Sequence, residues 1–416
     1  MSEIYRVAIV GGGFSGLVAA AVLSEICGGK NVLLLEKNER VGKKILATGN
    51  GRCNLTNRDL SLCHYHSVAG ITGALNFEKY GNKSMIGFFR DLGILVTEED
   101  GKFYPASLQA GSVLDALRAE LYRRDTEIKT GTKVVSLFPA NGVFRLKSEN
   151  GETFEAETVL LAVGGKAGPS YGTNGTAYDL AAKFGHGVTS LSPAIVQLKT
   201  ESRFCKGLKG IRQKGLVSAT DGEKKLADLY GDLLFTDYGV SGNTVFYLSS
   251  YLIDAKKPCL EVDYLPELSE AEIAAFLKEK KERFPETKNE ELLCGVVNKQ
   301  VARMLAVNFL SPKDAGRPFA PLAGAVKKCG IPVVGTTGFD QAQVTRGGIP
   351  FAEVNAETLE SKKKKGLYFS GEVLDADGDC GGYNLQWAYT SARIAADGIA
   401  RAVAGGRRER LRSVEK

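Results

Sequence analysis

The sequence predicts an α/β fold in which the two ends of the chain form one domain and the middle of the chain is inserted into it. Three observations support this. The chain opens with an apolar strand, a glycine-rich turn and an Ala/Val/Leu-rich helix; a second strand and glycine-rich segment lie near its end; and short alternating runs separate the two. With 416 residues, 44% of them hydrophobic and 25% charged, the composition excludes wholesale disorder and a protein of many membrane spans.

The first strand covers residues 5–10 and leads directly into a G-x-G-x-x-G turn that opens a helix. Gly11 allows the tight turn, Gly13 lets backbone amides approach a pyrophosphate, and Gly16 lets the helix pack closely on the strand. The helix N-terminus adds a partial positive charge. Glu36 ends the second strand, where its carboxylate can accept hydrogen bonds from a ribose. Together these features predict a dinucleotide site.

The segment of residues 41–57, which follows Glu36, is rich in glycine, hydrogen-bond donors and cations and poor in core residues. Nicotinamide dehydrogenases usually continue into an ordinary helix at this point. The composition suits a loop that wraps along an extended ligand with a second phosphate and a polar ring. The alternative is a solvated surface loop.

The end of the chain supplies a matching half, in which residues 366–370 form a strand, residues 371–384 are rich in glycine and acids, and a helix follows. Acids after a strand can hold the ribitol hydroxyls of a flavin, and amides at the helix start can face the ring's N1 and C2 carbonyl. The alternative is a calcium-binding loop, because Asp375, Asp377 and Asp379 alternate. It lacks the glutamate of an EF-hand at position twelve, where Gln386 stands instead.

A third strand, residues 157–163, ends in paired glycines and predicts a return crossing beneath the cofactor. The end of this strand is one of four motifs that resemble those of the BaiN-like (aminoacetone-oxidase-like) bacterial FAD-dependent oxidoreductases. They are V-A-I-V-G-G-G-F-S-G-L, A-T-G-N-G-R-C-N-L-T-N, L-A-V-G-G and Y-F-S-G-E-V-L-D-A-D-G-D-C-G-G-Y-N-L-Q-W-A. The resemblance covers essentially the whole chain and implies a Rossmann-like FAD-binding fold of the glutathione-reductase type.

The resemblance implies bound FAD, with Ser15 and its neighbouring glycines at the pyrophosphate, Glu36 at the ribose and the backbone of Val134 at the adenine. It places residues 44–54 on the flavin side and residues 372–384 at the ribitol and ring. It identifies neither a catalytic residue nor a metal ligand. The cofactor-binding positions carried over are Gly11, Gly13, Ser15, Gly16, Glu36, Lys37, Gly42, Lys44, Thr48, Asn50, Gly51, Arg52, Cys53, Asn54, Val134, Ala162, Gly164, Gly371, Glu372, Asp375, Gly382, Asn384 and Leu385.

The middle of the chain changes pattern after about residue 190. Short alternating runs predict a barrel-like sheet, and a capping box, Ser269-x-x-Glu272, precedes helical spacing. We therefore predict an FAD-binding Rossmann-like domain of residues 1–190 and 345–416, an inserted β-barrel-like substrate domain of residues 191–265 and 325–344, and a helical subdomain of residues 266–324.

Flavin chemistry requires little from the protein beyond position and electrostatics, so the sequence does not identify the substrate. We predict an FAD-dependent oxidoreductase of a small or medium-sized organic substrate, which either reduces a double bond with NAD(P)H or oxidises an amine. No second G-x-G-x-x-G unit is present, so NADH or NADPH would dock transiently. The net charge of +6 motivates an alternative, an FAD-containing nucleic-acid-modifying or binding protein. A flavin-bound sensor without turnover is a third hypothesis.

Several side chains have open roles at this stage. Tyr171, Thr173 and Tyr238 are candidates for the substrate face, Cys53 is either a reactive thiol or a packing residue beside the ring, and His186 is interpreted as structural. A metal site at Cys63, His64 and His66 is not predicted, because no complementary pair follows at metal-site spacing.

Cysteine usage predicts the compartment. Eight cysteines are scattered without a C-x-x-C pair, which is typical of reduced thiols in the cytoplasm. The uncharged stretch of residues 7–24 is interrupted by three glycines and lacks a basic flank, so we interpret it as part of the fold rather than as a targeting peptide. We expect no membrane and no nucleic-acid partner. The oligomeric state is not predicted.

Overall fold

A computed structural model describes residues 4–71, 75–176, 178–314 and 318–414. Its strands, in chain order, are β1 Ile4–Val10, β2 Val32–Leu35, β3 Thr56–Asn57, β4 Tyr65–His66, β5 Val96–Glu99, β6 Lys102–Pro105, β7 Glu127–Lys129, β8 Val134–Ala140, β9 Val143–Ser148, β10 Thr153–Leu161, β11 Ser192–Ala194, β12 Leu198–Thr200, β13 Arg212–Asp221, β14 Lys224–Phe235, β15 Gly239–Ser241, β16 Pro258–Asp263, β17 Cys329–Thr336, β18 Val344–Arg346, β19 Leu367–Phe369 and β20 Asp377–Gly378.

The α-helices are α1 Phe14–Cys27, α2 Phe77–Tyr80, α3 Asn82–Asp91, α4 Ala110–Arg123, α5 Tyr178–Ala182, α6 Asn243–Ser249, α7 Glu270–Arg283, α8 Lys299–Phe309, α9 Phe319–Lys327 and α10 Tyr383–Val414. Single turns of 3-10 helix lie at Gly29–Asn31, Leu62–His64, Pro169–Tyr171, Ser202–Phe204, Asn289–Glu291, Pro312–Asp314, Phe351–Glu353 and Gly371–Val373, and a longer, kinked 3-10 segment spans Ile45–Gly51.

The chain divides into two compact units. One contains the residues up to Ser192 and those from Val344 onward, and the other contains Pro193–Gln343.

The first unit is built on a mixed sheet in the order β7-β2-β1-β10-β9-β8, with β19 beside the C-terminal half of β10. The strands β7, β2, β1, β10 and β19 run parallel, and β8, β9 and β10 form an antiparallel meander. All four residues of β2 are buried, as expected of a parallel strand that is covered on both faces. The carboxyl ends of β1, β2, β10 and β19 meet at one edge, where ligands bind in open α/β sheets.

Helix α1 explains the uncharged stretch near the start of the chain. Every residue from Phe14 to Ser24 is buried, so this helix is apolar all round because it is surrounded by the sheet and by α10. Among the described helices, none combines the length and the unbroken apolar stretch that crossing a bilayer requires.

The second unit is a closed barrel in the order β12-β15-β14-β13-β16-β17. Alternating residues of β13 and β16, such as Val217, Leu260 and Val262, are buried and share one hydrophobic core with α7, α8 and α9. The Ser269 side chain accepts a hydrogen bond from the Glu272 amide at 3.2 Å, and the Glu272 carboxylate accepts one from the Ser269 amide at 2.8 Å, so the capping box begins α7. The predicted fold class, a Rossmann-like α/β fold with an inserted barrel and helices, is confirmed.

Candidate active site

The glycine-rich turn joins three strand ends of the first unit. The Gly11 amide donates to the Leu35 carbonyl at 2.8 Å, and the Ala162 amide donates to the Val10 carbonyl at 2.9 Å. A Cβ on Gly11 would lie 2.4 Å from the Ala162 oxygen, and a Cβ on Gly16 only 1.9 Å from the Gly11 oxygen. Both glycines are therefore required for close packing.

Gly13 differs from these two glycines, because an added Cβ would have no atom within 4 Å. Its backbone is extended and forms the N-cap of α1, which has no side-chain cap of its own. The first amides of a helix lack intrahelical partners and carry a partial positive charge. The turn thus presents an open, electropositive backbone surface that fits a pyrophosphate.

The serines of the turn and of the chain end meet beside it. Ser15 Oγ lies 2.6 Å from Ser370 Oγ, and the Gly371 amide donates to Ser391 Oγ at 2.8 Å. Gly371 has a φ of +77°, and a Cβ there would lie 3.1 Å from the Ser15 Cβ. This contact joins the first and last predicted motifs into one wall.

Glu36 is buried at the end of β2, and its carboxylate organises the loop around it. One oxygen accepts from the Gly12 amide, and the other accepts from the backbone amide and the side-chain amide of Asn38, all at 2.7 Å. A carboxylate offers about four acceptor positions, so Glu36 retains capacity for a ribose hydroxyl. The Glu36 carbonyl also accepts from the Thr132 amide, which places Val134 and the start of β8 nearby. No sequence pattern indicated a role for Asn38.

Lys44 and Glu372, which are distant in sequence, contact each other. Lys44 Nζ donates to Glu372 Oε2 at 2.9 Å and to the Ala167 carbonyl at 3.3 Å. Glu372 Oε1 accepts from the Thr345 amide at 2.8 Å, and Thr345 Oγ1 accepts from the amides of Lys166 and Ala167. The pair therefore links the loop after β2, the loop after β10 and the segment after β19.

Other positions that the resemblance assigns to cofactor binding have packing or loop roles. Gly42 donates its amide to the Gly12 carbonyl, and a Cβ there would lie 2.2 Å from Leu114 Cδ1. Lys37 Nζ donates to Asn174 at 3.2 Å, and burial lowers the pKa of Lys37. Gly164 has a φ of +71°, beside Thr173.

The loop of residues 45–54 contains left-handed residues that shape it. Asn50 and Cys53 have φ values of 56° and 58°, and both follow a turn in which Thr48 Oγ1 donates to the Ile45 carbonyl at 2.6 Å. Gly51 is left-handed as well. Asparagine accepts this conformation more readily than cysteine does.

Arg52 and Cys53 have surroundings that the sequence did not indicate. The Arg52 guanidinium lies 4.3 Å from the centre of the Tyr104 ring and pairs with Glu99, so it contacts the hairpin of β5 and β6. Burial raises the pKa of the Cys53 thiol to about 12, so the thiol is protonated at neutral pH. Burial of the thiol favours the packing role of Cys53 over that of a reactive thiol.

Helix α10 begins where Gly382 packs against Thr56 and Asn54. A Cβ on Gly382 would lie 2.6 Å from the Thr56 oxygen, and the Asn54 side-chain oxygen can accept from the Gly382 amide at 3.2 Å. Asn384 uses its side chain locally, accepting from the Gly378 amide at 2.9 Å and donating to the Gly378 carbonyl at 2.7 Å. Asn384 and Leu385 thus contribute first-turn amides to a helix that runs from Tyr383 to Val414.

The three alternating acids each have different partners. Asp375 is fully buried and accepts from Ser67 Oγ and the amides of Val68 and Ala69 at 2.8 to 3.0 Å. Asp377 pairs with an arginine and Asp379 with two histidines, as described below. Within the described ranges no three His, Cys, Asp or Glu side chains converge as a metal site would require, and the three acids face different partners rather than one another. The ribitol role of Asp375 stays a prediction, since its carboxylate already holds the 67–69 loop.

A cavity of about 510 Å³ lies beside these acids, within the first unit. Its described lining residues are Leu62, Tyr65, His66, Ser67, Gly70, Ile71, Leu75 and Arg346. The Arg346 guanidinium forms a two-point pair with Asp377, in which Nη2 lies 3.1 Å from Oδ2. Burial raises the pKa of Asp377 to about 6, although Arg346 opposes this, so the carboxylate is ionised at neutral pH.

Asp379 is the second buried acid at the cavity and holds two imidazoles. His66 Nε2 lies 2.8 Å from Asp379 Oδ1, and His64 Nδ1 lies 3.0 Å from Oδ2. The His64 ring stacks on Tyr383, with centres 4.5 Å apart. Sequence reasoning missed Arg346 and His66 as site residues. The available signal was the H-x-H pattern in a chain of only three histidines, a pattern that also suits acid–base chemistry.

The remaining candidates have other contacts. Thr173 Oγ1 donates to the carbonyls of Ala167 and Gly168, Tyr171 accepts through its carbonyl from Asn38, and Tyr238, in the second unit, donates to Gln197. None of the three is among the cavity's described lining residues.

His186 lies between Glu353 at 2.8 Å and Ser361 at 2.7 Å, which agrees with a structural role.

Comparisons with known proteins agree with this arrangement. Residues 5–398 match the family model described as HI0933-like protein Rossmann domain. A 3-dehydro-bile acid delta(4,6)-reductase of Clostridium scindens is 37% identical over 400 residues, covering 94% of this chain and 98% of that protein. A ribosomal RNA dihydrouridine synthase of Haemophilus influenzae is 27% identical over 418 residues, covering 96% of this chain and 100% of that protein.

A solved structure shows the same fold at low identity. The 3-ketosteroid-delta4-(5alpha)-dehydrogenase of Rhodococcus jostii has a TM-score of 0.50 and 14% identity, covering 96% of this chain and 98% of that chain.

Proposed function

The chain belongs to the HI0933-like family and is an oxidoreductase, and from this premise we propose that it binds FAD and reduces a carbon–carbon double bond conjugated to a carbonyl group. The substrate is a small or medium-sized organic molecule, and NADH or NADPH serves as the transient electron donor. The resemblance predicted from the four motifs, and the prediction of an oxidoreductase enzyme, are confirmed by the family and by the reductase relative. FAD, the donor and the substrate class belong to the proposal.

The observation that carries the proposal is a continuous cradle along one edge of the sheet. It runs from Glu36 at the end of β2, past the open backbone of Gly13, to the Lys44–Glu372 pair and the first turn of α10. The Rossmann turn alone suits any dinucleotide. The end of the cradle at Lys44 and Glu372 suits a second polar group, such as the ribitol of a flavin. The fold and the family also support a flavin cofactor. When bound, FAD supplies reversible hydride acceptance and donation.

The chain's own groups would position and polarise the cofactor. Amides at the N-terminus of α10 would stabilise negative charge on a bound flavin ring, because the helix dipole is positive there. Glu36 would accept hydrogen bonds from the ribose, while Lys44 and Glu372 could each exchange their mutual hydrogen bond for one to the cofactor. These roles concern binding and orientation.

The relatives favour reduction over amine oxidation. The names delta(4,6)-reductase and dihydrouridine synthase both denote the reduction of a carbon–carbon double bond. In each case the double bond is conjugated to a carbonyl, in a 3-keto ring system or in a uracil ring. One chemistry therefore accounts for both names, and we extend it to this chain.

The test starts from the purified protein, as isolated and after reconstitution with FAD. We expect a yellow protein with one FAD per chain, whose flavin bleaches anaerobically with NADH or NADPH and is reoxidised by a conjugated enone such as 2-cyclohexen-1-one. A panel of primary amines provides the contrasting arm. A colourless protein that cannot be reconstituted overturns the proposal, and amine-driven flavin reduction with peroxide release replaces it with an oxidase.

A second candidate function is reduction of uridine in RNA, since two relatives that are 27% identical carry that name. It requires RNA affinity that falls steeply with salt and dihydrouridine in the treated transcript. The lysine run of residues 362–365 provides little support for it. Lys362 donates to the Ala352 carbonyl, Lys363 pairs with Glu353, and Lys364 lies over the Phe144 ring, so these three have local contacts.

A further inference from the structure

The cavity of about 510 Å³ has the size of a small-molecule pocket and a polar wall beside an apolar one. Leu62, Ile71 and Leu75 supply apolar surface, whereas His66 and Arg346 supply hydrogen-bond donors. Such a lining suits a compact, largely apolar molecule that carries one carbonyl group.

The cavity adjoins the far end of the cradle through directly bonded residues. Thr345, which precedes Arg346, donates its amide to Glu372, the partner of Lys44. On the other side, Asn384 of α10 holds Gly378 of β20, whose neighbour Asp377 is paired in register with His66. A ligand in the cavity would therefore lie next to the part of the cradle assigned to the flavin.

Arg346 is suited to hold a developing negative charge. A guanidinium has five donors, and the Nε and Nη2 groups of Arg346 are directed at Asp377. Asp377 is fully buried and Arg346 nearly so, so the pair fixes the position of a cation at a cavity wall where little water screens it.

His66 is suited to deliver a proton. The chain contains three histidines, and two of them share the single carboxylate of Asp379. A fully buried carboxylate that accepts a hydrogen bond from an imidazole orients the ring and fixes which ring nitrogen faces it. The His66 side chain is 17% exposed and lines the cavity, so it can exchange protons with water.

We propose that this cavity binds the conjugated carbonyl of the substrate, with Arg346 on the carbonyl oxygen and His66 as the general acid that protonates the α carbon. The inference rests on the proposed function, which it deepens by naming the substrate's recognition group. Asp379 and Asp377 are positioning residues that act through His66 and Arg346.

The reaction balances as follows. The substrate's β carbon gains a hydride whose two electrons originate from NADH or NADPH, and the electron pair of the double bond moves onto the carbonyl oxygen beside Arg346. The α carbon of this enolate then takes the imidazole proton of His66 and the carbonyl re-forms. His66 regains a proton from water. The substrate gains two hydrogens in total, and the nicotinamide is oxidised.

The first experiment measures binding without turnover. The probe is 2,4,6-trifluorophenol, whose phenolate imitates the enolate oxygen, and ¹⁹F NMR of the FAD-loaded protein reports both affinity and ionisation state. We expect the bound probe to be the phenolate. Affinity should fall at least tenfold in Arg346→Gln, and equally in the double variant Arg346→Gln/Asp377→Asn, which removes both buried charges together and guards against misfolding of the single variant.

The matched control is Arg203→Gln, which removes an exposed arginine of the second unit. It should bind the probe like the parent protein. Absence of binding by the parent protein, binding as the neutral phenol, or affinity unchanged in the folded double variant overturns the assignment of Arg346.

The second experiment separates proton delivery from electron supply. In anaerobic stopped-flow with 2-cyclohexen-1-one, His66→Asn should slow reoxidation of the reduced flavin by 100-fold or more, with the rate of flavin reduction by NADH or NADPH unchanged. Asp379→Asn should lower kcat and leave KM and phenolate affinity unchanged, whereas a purely structural role would impair all three. Equal reoxidation rates in His66→Asn and the parent protein overturn the role of His66.

Different results refute the proposed function and the assignment of Arg346. A protein without flavin, or a flavin that NADH and NADPH do not reduce, refutes the proposed function, whereas a reducible flavin with no phenolate site at Arg346 refutes only this inference.

Discussion

Asp375 provides a test that separates a structural role from a cofactor-binding one. Its buried carboxylate accepts three hydrogen bonds from Ser67, Val68 and Ala69. In Asp375→Asn the best orientation of the amide keeps the two bonds to one oxygen, from Ser67 Oγ and the Ala69 amide. It then directs an NH₂ group at the Val68 amide. One charge-assisted bond is lost and buried donors face each other, so unfolding should become easier by about 2–4 kcal/mol.

The assay is urea unfolding of the apoprotein followed by tryptophan fluorescence. Trp387 is the single tryptophan of the chain, is 1% exposed and lies in the first unit, so its signal reports that unit alone. Ser67→Ala is the matched control, because it removes only one of the three bonds and should cost about 1 kcal/mol. The reasoning is refuted if apo Asp375→Asn unfolds within about 0.5 kcal/mol of the parent protein, or if it is destabilised only when FAD is present.

Three further predictions concern the glycine turn, a thiol and a helix cap. Gly13→Ala should cost the apoprotein no more than about 1 kcal/mol, the loss expected for alanine at a helix N-cap, and weaken FAD binding at least tenfold, because a Cβ there meets no protein atom. Gly16→Ala should destabilise the apoprotein much more, because its Cβ would lie 1.9 Å from a carbonyl oxygen. Cys53, whose pKa burial raises to about 12, should remain unalkylated by iodoacetamide at pH 8 while the exposed Cys63 reacts, as read by peptide mass spectrometry. Ser269→Ala should destabilise the second unit by about 1 kcal/mol in urea unfolding followed by circular dichroism, because it removes the capping box of α7.

Each of these predictions has a contradicting result. Equal losses of apoprotein stability in the two glycine variants would contradict the open surface at Gly13. Labelling of Cys53 at the rate of Cys63 in the folded protein would contradict its burial. For Ser269→Ala, the conservative variant Ser269→Thr should retain the cap, and equal destabilisation by both would assign the effect to packing rather than to the hydrogen bond.

The fold was largely readable from local patterns. Strand β1, the turn at Gly11, helix α1 and strand β2 lie within a residue or two of the predicted positions, because an apolar run, an obligatory glycine and a helix start are each specified by neighbouring residues. The capping box at Ser269 is local in the same way.

The side-chain roles in the site were less readable, because they depend on partners far away in sequence. Asp375 and Asn384 carry chemistry that suits a flavin, yet the structure engages the first with residues 67–69 and the second with Gly378. Arg52 lies in a motif assigned to the flavin side but stacks on Tyr104 of a hairpin some fifty residues later. In each case the sequence showed which chemical group the side chain carries, but it did not show which residue that group contacts.

By itself, the sequence determined the class of molecule: an α/β chain with a dinucleotide turn, a closing half at its far end and a family resemblance that the comparisons confirm. The tertiary structure decided which polar groups meet. It paired Lys44 with Glu372, Arg346 with Asp377 and both His64 and His66 with Asp379, and it placed the cavity among them. The physical reason is that backbone geometry depends on adjacent residues, whereas buried charges need compensating partners, and folding can bring those partners from any point of the chain.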